Sequence, residues 1–459
     1  MSAPVGPLDA MFLAGESRQL PMHVGGLMLF DLPEDAGRDH LAKLYREMVD
    51  PAQVVNPLFG RRIRHSAANL GYWSWEPDDE IDLEYHVRLS ALARPGRIRE
   101  LLELTSRLHG ARLDRHRPLW EIHVIEGLRG RRLALYSKVH HAMLDGVSAL
   151  RWMQATLTDD PTRRHMPAPY ALPDRQPQQA PEPGLLESVA KVGGGVGRVL
   201  TDLAGLTPVA LRGAMHNLRA EHAAVAFQAP QTILNRPITG ARRFAAQSWP
   251  MERLATVRAS TGATFNDVML AMCAGALRNY LLELNALPDQ ALTAMVPVSL
   301  RGADDESNGN ALATLLCDLA TDEPDPERRM RRVSESTKYA KRVLSQLTPL
   351  QNLMIGAVGL GSAGLGAVIP GAAGRTPPPY NLVISNVPGP VDSTLYWNGA
   401  RLRGLYPMSI VLNGQALNIS VTSYDHQLHF GLIGCRRSVP HLQRLLGHLE
   451  TSLTELERL

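Results

Sequence analysis

LALYSKVHHAMLDGVSALRWMQATL, residues 133–157, joins three signals in a single run. Residues 133–139 read as a strand, and Val147, Leu150, Met153 (or Gln154) and Leu157 then recur with helical spacing. The stretch 140–146 therefore falls on a strand-to-helix loop, where a rigid scaffold presents reactive groups. Two imidazoles, a carboxylate and a conformationally free glycine share that loop: His140, His141, Asp145 and Gly146.

Working outward, the pattern predicts a helix near 40–49, a strand near 81–89, a helix near 97–108 and a strand at 121–125. Seven prolines between Pro161 and Pro183 suit neither a helix nor a central strand, so that stretch reads as a crossover. A weakly amphipathic, Gly- and Ala-rich helical stretch follows at about 185–224, and the folded pattern resumes near Arg242. Thr264 and Asp267 then form a capping-box pattern ahead of the apolar run 268–284. Strands are expected at 292–298, 381–386 and 409–412, with a hairpin at 417–434 turning at 424–427. Leucines 442, 445, 449, 453 and 456 mark a last helix.

Strands and helices intermix in both halves, which makes the fold class α/β (α+β). A length of 459 residues exceeds what one core usually supports. The expected units are 1–160, carrying HHAMLDG; 161–241, a Pro-rich linker with crossover helices; and 242–459. A net charge of +3 is too small at this length to imply a general polyanion-binding surface, so no nucleic-acid partner is expected. Cys273, Cys317 and Cys435 lack CxxC spacing and read as buried thiols in a reducing compartment. The N-terminus has no basic segment followed by an apolar one, so cytoplasmic residence is the simplest reading. The stretch 343–374 contains no charged residue but seven glycines and Pro370, which favours a buried mobile helix or a membrane-surface contact over a span.

A histidine with an available nitrogen can take a proton from a hydroxyl and return it to a leaving thiolate in the same turnover. Asp145 could orient an imidazole or brace the loop. Two histidines and an aspartate could also bind zinc or iron, but neighbouring residues at a strand end point to opposite sides, which disfavours shared coordination. No metal and no cofactor are expected, and the absence of GxxxxGK[ST], or of GxGxxG in a strand-to-helix setting, gives nucleotide hydrolysis and hydride transfer no support.

HHAMLDG resembles the HHxxxDG motif of the acyltransferase superfamily that includes chloramphenicol acetyltransferase and nonribosomal peptide condensation domains. PLDAMFL (7–13), PMHVGGL (21–27), RPLWE (117–121), NDVMLA (266–271), VPVSLR (296–301), Gly309-Asn310 and SNVPGP (385–390) narrow the resemblance to the bacterial wax ester synthase/diacylglycerol acyltransferase family, over essentially the whole chain. The resemblance implies two chloramphenicol-acetyltransferase-like subdomains, each a mixed sheet with flanking helices, and a tunnel at their interface. It implies long-chain acyl transfer from acyl-CoA, as co-substrate, to diacylglycerol or a fatty alcohol, with His141 as base, Asp145 holding the loop or the imidazole, and His140 as a supporting neighbour. Peripheral contact with the inner face of the cell membrane or with lipid droplets would follow.

The oxyanion formed during such a transfer needs a donor, and Asn266, beside the positive end of a helix, is a candidate, although it also reads as a plain helix-start residue. Gly146, Ser385 and Asn386 could line the tunnel. Arg242, Arg243, Arg301 and Arg375 are candidates for the phosphates of coenzyme A. Two rivals stay open: a condensing enzyme using a carrier-protein thioester or another acceptor, and a non-catalytic lipid-binding protein.

Overall fold

The computed structural model describes residues 3–65, 73–172, 228–299, 312–345 and 377–459. In the first part of the chain the elements are β1 (Ala3–Pro4), α1 (Pro7–Gly15), β2 (His23–Asp31), α2 (His40–Met48), β3 (Arg61–His65), β4 (Trp73–Pro77), α3 (Leu83–His86), β5 (Val87–Ala91), α4 (Ile98–Gly110), β6 (Trp120–Leu128), β7 (Arg132–His140) and α5 (Gly146–Ala155). After them come β8 (Arg242–Pro250), α6 (Met251–Thr261), α7 (Phe265–Glu283), β9 (Thr293–Ser299), β10 (Leu312–Asp318), α8 (Pro326–Ser345), β11 (Leu382–Val387), β12 (Tyr396–Trp397), β13 (Ala400–Met408), β14 (Leu417–Tyr424), β15 (Gln427–Cys435) and α9 (Arg444–Leu456).

Two six-stranded mixed sheets carry the fold, ordered β12-β13-β2-β7-β6-β5 and β10-β9-β11-β14-β15-β8; a small sheet, β1-β4-β3, stands apart. In the first sheet, alternation sends Val24, Met28, Phe30, Leu133, Leu135 and Val139 into one core. Leu27, Leu29, Ala134 and Tyr136 belong instead to the core built around the second sheet and α7. The β14–β15 hairpin turns at Asp425 and His426, both at positive φ, as a two-residue connection of this twist requires.

The 81–89 stretch is not one strand: the Asp82 carboxylate accepts the Tyr85 N–H, capping the short helix α3, and the strand begins only at Val87. The strand expected at 409–412 lies earlier, at β13, and its partner is β2 of the first sheet. The stretch 242–459 therefore does not stay with one sheet, since 396–408 completes the first. The helical stretch at 185–224 and most of 343–374 lie outside the described residues. Among those described, no helix is long and apolar enough to cross a membrane.

The sheets meet where β13 passes β15. A Cβ on Gly431 would stand 1.9 Å from the Pro407 carbonyl oxygen, while the Ser248 hydroxyl lies 3.1 Å from the Tyr406 hydroxyl and 2.7 Å from His429 Nδ1. The outer edge of β8 is closed by α4, whose Ser106 hydroxyl accepts the Phe244 N–H at 2.9 Å. Gly431→Ala is expected to destabilise the protein by roughly 1–3 kcal/mol, because the backbone it strikes cannot rotate away. A thermal midpoint equal to wild type would refute the close approach.

Candidate active site

His140 is the last residue of β7. Register pairs it with His23, and its N–H donates to the Leu119 carbonyl at 2.9 Å. Alternation turns the side chain inward, where it is fully buried. Its Nδ1 accepts the Ala142 N–H at 3.1 Å, so the ring hydrogen of the neutral form sits on Nε2, facing Glu16 Oε1 at 3.8 Å. Burial lowers the His140 pKa to about 3, so this contact is not an ion pair. The Glu16 carboxylate is itself held: Arg115 Nε donates to Oε2 at 3.0 Å and the Met22 N–H to Oε1 at 3.3 Å. Arg115 also donates to the Leu13 carbonyl, tying the end of α1 to the same cluster.

His141 turns the other way. Its N–H donates to the Met22 carbonyl at 2.8 Å, and its ring stacks on Phe12, centroids 4.0 Å apart and 24° between planes. The residue as a whole is partly exposed. Desolvation by the surrounding protein lowers its pKa below 6.5, opposed in part by the Asp145 carboxylate. A hydrogen bond from its own backbone also acts on the ring, and the net lowering favours the neutral imidazole. With one histidine facing Glu16 and the other lying on Phe12, the pair does not converge on a common metal position.

Asp145 is the N-cap of α5: its carboxylate accepts the Ser148 N–H at 2.7 Å. It fixes where the loop ends and the helix begins, and its charge acts on His141 through space. Gly146 follows in the first turn, exposed, with nothing within 4 Å of where a Cβ would stand. Packing does not demand a glycine there; the space beside it is open.

The SNVPGP turn comes to the same helix from the other half of the chain. A Cβ on Gly389 would lie 2.7 Å from Gln154 Nε2 of α5 and 2.4 Å from the Ser423 carbonyl. Ser385 and Asn386 sit on β11, paired with Ser420 and Val421 of β14, and both are partly exposed. Asn266 occupies the first turn of α7, also partly exposed. No hydrogen bond among the described residues joins it to the histidine loop. Its neighbour Asp267 closes the capping box with Thr264 and accepts from Ser334 and Thr337 of α8, at 3.3 and 2.6 Å.

Of the four arginines, Arg242 has another task. It is buried and donates to the carbonyls of Gln19 (2.8 Å) and Thr239, binding the segment behind Met22 to β8. With both its terminal nitrogens engaged by backbone, it is withdrawn as a phosphate ligand. Arg243 is partly exposed and lines a pocket. Arg301 and Arg375 lie outside the described residues. Glu16 and Arg115 were missed by motif reading, and Phe12 lay inside the PLDAMFL segment without being given a role; the one signal for Glu16 was an acid three residues beyond that segment.

Two consequences can be measured. Asp145→Asn keeps a capping oxygen and is expected to hold the fold while altering the field at His141, whereas Asp145→Ala should cost about 1 kcal/mol in stability; equal thermal midpoints for both would refute the cap. Glu16→Gln is expected to lower kcat about ten- to a hundredfold by letting the loop shift, with KM little changed. An unaltered kcat would remove Glu16 from the site.

A family model described as the wax ester synthase/diacylglycerol acyltransferase catalytic domain matches residues 5–269, and one for the C-terminal domain of the same family matches 308–457. A putative diacylglycerol O-acyltransferase of Mycobacterium tuberculosis is 50% identical over 99% of both chains. An O-acyltransferase of Acinetobacter baylyi is 40% identical, covering 99% of this chain and 97% of its own. The solved wax ester synthase/diacylglycerol acyltransferase of Marinobacter aquaeolei VT8 is 40% identical, with a TM-score of 0.79 over 99% of both chains. A condensation domain of the calcium-dependent antibiotic synthetase, 18% identical at a TM-score of 0.58, shares the fold alone. With two family models covering most of its length and the histidine loop intact, the chain belongs to the wax ester synthase/diacylglycerol acyltransferase family and is an acyltransferase.

Proposed function

We propose that the protein transfers a long-chain acyl group from coenzyme A to the hydroxyl of diacylglycerol or a fatty alcohol, forming triacylglycerol, wax ester or both. The observation that carries this reading is a desolvated, neutral His141 clamped by its own backbone on the loop that leads to the open Gly146. His141 removes the acceptor's proton as its oxygen attacks the thioester carbonyl. The tetrahedral oxyanion then collapses, the carbon–sulfur bond breaks, and the imidazolium returns the proton to the departing thiolate. A donor is needed for that oxyanion, and Asn266, beside the N-terminus of α7, is the residue we assign to it. Ser385, Asn386 and Gly146 are assigned to the walls of the substrate path.

Direct transfer is favoured over a covalent acyl-enzyme by the state of the cysteines. All three are free and fully buried. Burial pushes the Cys273 thiol up to about 12 and raises Cys317 further. Cys435 is lowered to about 7 by donors from Thr239 and Ser438, but those contacts occupy its sulfur. For lipid substrates we assign the protein to the inner membrane face or lipid-droplet surface, on the strength of the uncharged composition of 343–374.

Thiol release from palmitoyl-CoA, measured with diacylglycerol, hexadecanol, a short alcohol, a primary amine or no acceptor, tests the reading. Turnover with a lipid alcohol should fall by roughly two to four orders of magnitude in His141→Ala; acceptor-independent release in both proteins would sink it. Because burial depresses the His141 pKa, its base form persists as pH falls through 6.5. The acid limb of kcat/KM should therefore lie below that value, and a limb above it would contradict the assignment.

A further inference from the structure

A pocket of about 220 Å³ lies between the start of β8 and the turn into α9, lined by Arg243, Arg436, Val439, Pro440, His441 and Gln443. Two guanidinium groups line it and no carboxylate does. Neither arginine side chain has an ion pair or hydrogen bond among the described residues, whereas Arg444 nearby pairs with Glu283 at 2.9 Å and Arg437 donates to the Pro237 carbonyl at 3.2 Å. The pairing of β8 with β15 sets Arg242 opposite Cys435, and the Arg436 N–H donates to the Ala241 carbonyl at 3.0 Å, so Arg243 and Arg436 spring from one fixed corner of the sheet.

The opposite wall is backbone. His441 has φ 53°, and the N–H groups of Arg444, Leu445 and Leu446 already bond back to the carbonyls of His441, Leu442 and Gln443 at 2.8, 3.0 and 3.2 Å. A turn whose first carbonyl is that of His441 thus leads into α9, and among the described residues no hydrogen bond runs from the N–H groups of His441, Leu442 and Gln443. A left-handed residue ahead of successive unpaired N–H groups makes an anion-binding concavity, and the dipole of the 13-residue helix α9 adds to it. Val439 N–H to the Cys435 carbonyl (2.9 Å) and the contacts of Ser438 and Thr239 on Cys435 Sγ hold the turn in place.

We propose that this pocket binds a phosphate monoester, with Arg243 and Arg436 contacting its oxygens and the 441–443 backbone completing the cradle. Two sources present that chemistry: the 3′-phosphate of a coenzyme A donor and the headgroup of phosphatidate in a lipid surface. The donor is the source we assign, because the acyl transfer proposed above requires a phosphate-bearing coenzyme to dock on this chain. That choice of source rests on the acyl-transfer reading; the pocket's affinity for phosphate does not.

The test measures wild type and Arg243→Gln/Arg436→Gln by calorimetry with adenosine 3′,5′-bisphosphate and by sedimentation with phosphatidylcholine vesicles with and without phosphatidate. Binding of either probe that weakens at least about tenfold in the double variant supports the pocket, and the probe that responds names the source. Absence of binding of both probes to wild type, or equal binding by the double variant, overturns it. Thermal midpoints check folding, and the single Arg436→Gln, at an exposed residue, serves the same comparison if the double variant does not fold. Diacylglycerol acylation by the same wild-type preparation separates the two readings: acylation with no phosphate binding fells only the pocket, and phosphate binding without acylation fells only the donor assignment.

Discussion

Two backbone hydrogen bonds at the end of β7 govern the site: His140 N–H to the Leu119 carbonyl and His141 N–H to the Met22 carbonyl. Consecutive residues of one chain are thereby held between segments from both neighbouring strands. Because side chains alternate along extended backbone, clamping both N–H groups sends one imidazole inward and the other toward the open side. The buried ring is a poor base, since it is enclosed, burial disfavours its protonated form and its Nδ1 is taken by the Ala142 N–H, and it becomes part of the loop's support. The outward ring is left stacked on Phe12.

Support for that clamp comes from segments far apart in sequence. Glu16 receives the Met22 N–H and the Arg115 guanidinium, and Arg242 receives nothing but gives two hydrogen bonds, one of them to Gln19. The stretch 16–22 is thus pinned from below by the first half and from behind by the second. A buried acid and arginine with so many partners are costly to leave unpaired, so losing one should be felt across the cluster. The lowered pKa values of His140 and His141 share one origin, desolvation, with opposite uses: it silences the first and keeps the second in its base form.

The crossing of β13 into the first sheet explains why the halves act as a unit. A strand from residues 400–408 pairs with β2 along Asp31 to Gly25, and Gly431 lets β15 approach it to contact distance. The SNVPGP turn, emerging from the second sheet, then rests on Gln154 of α5. The helix that begins at Asp145 is in this way fixed at its start by its own cap and further along by the other half.

Local chemistry was legible in the chain. The strand–loop–helix around HHAMLDG, the Thr264–Asp267 capping box, the hairpin at 424–427 and the leucine spacing of the last helix all appear where periodicity and turn residues put them. These features depend on neighbours within a few residues, which sequence displays directly. The exchange of β13, the bond from Arg242 to Gln19 and the meeting of Glu16 with Arg115 and His140 join residues 99 or more positions apart, for which no spacing rule exists. Arg242 and Arg243 are adjacent, identical in type and indistinguishable by composition. Packing alone buries one against two carbonyl oxygens and leaves the other at the rim of a pocket, because successive side chains on a strand face opposite ways.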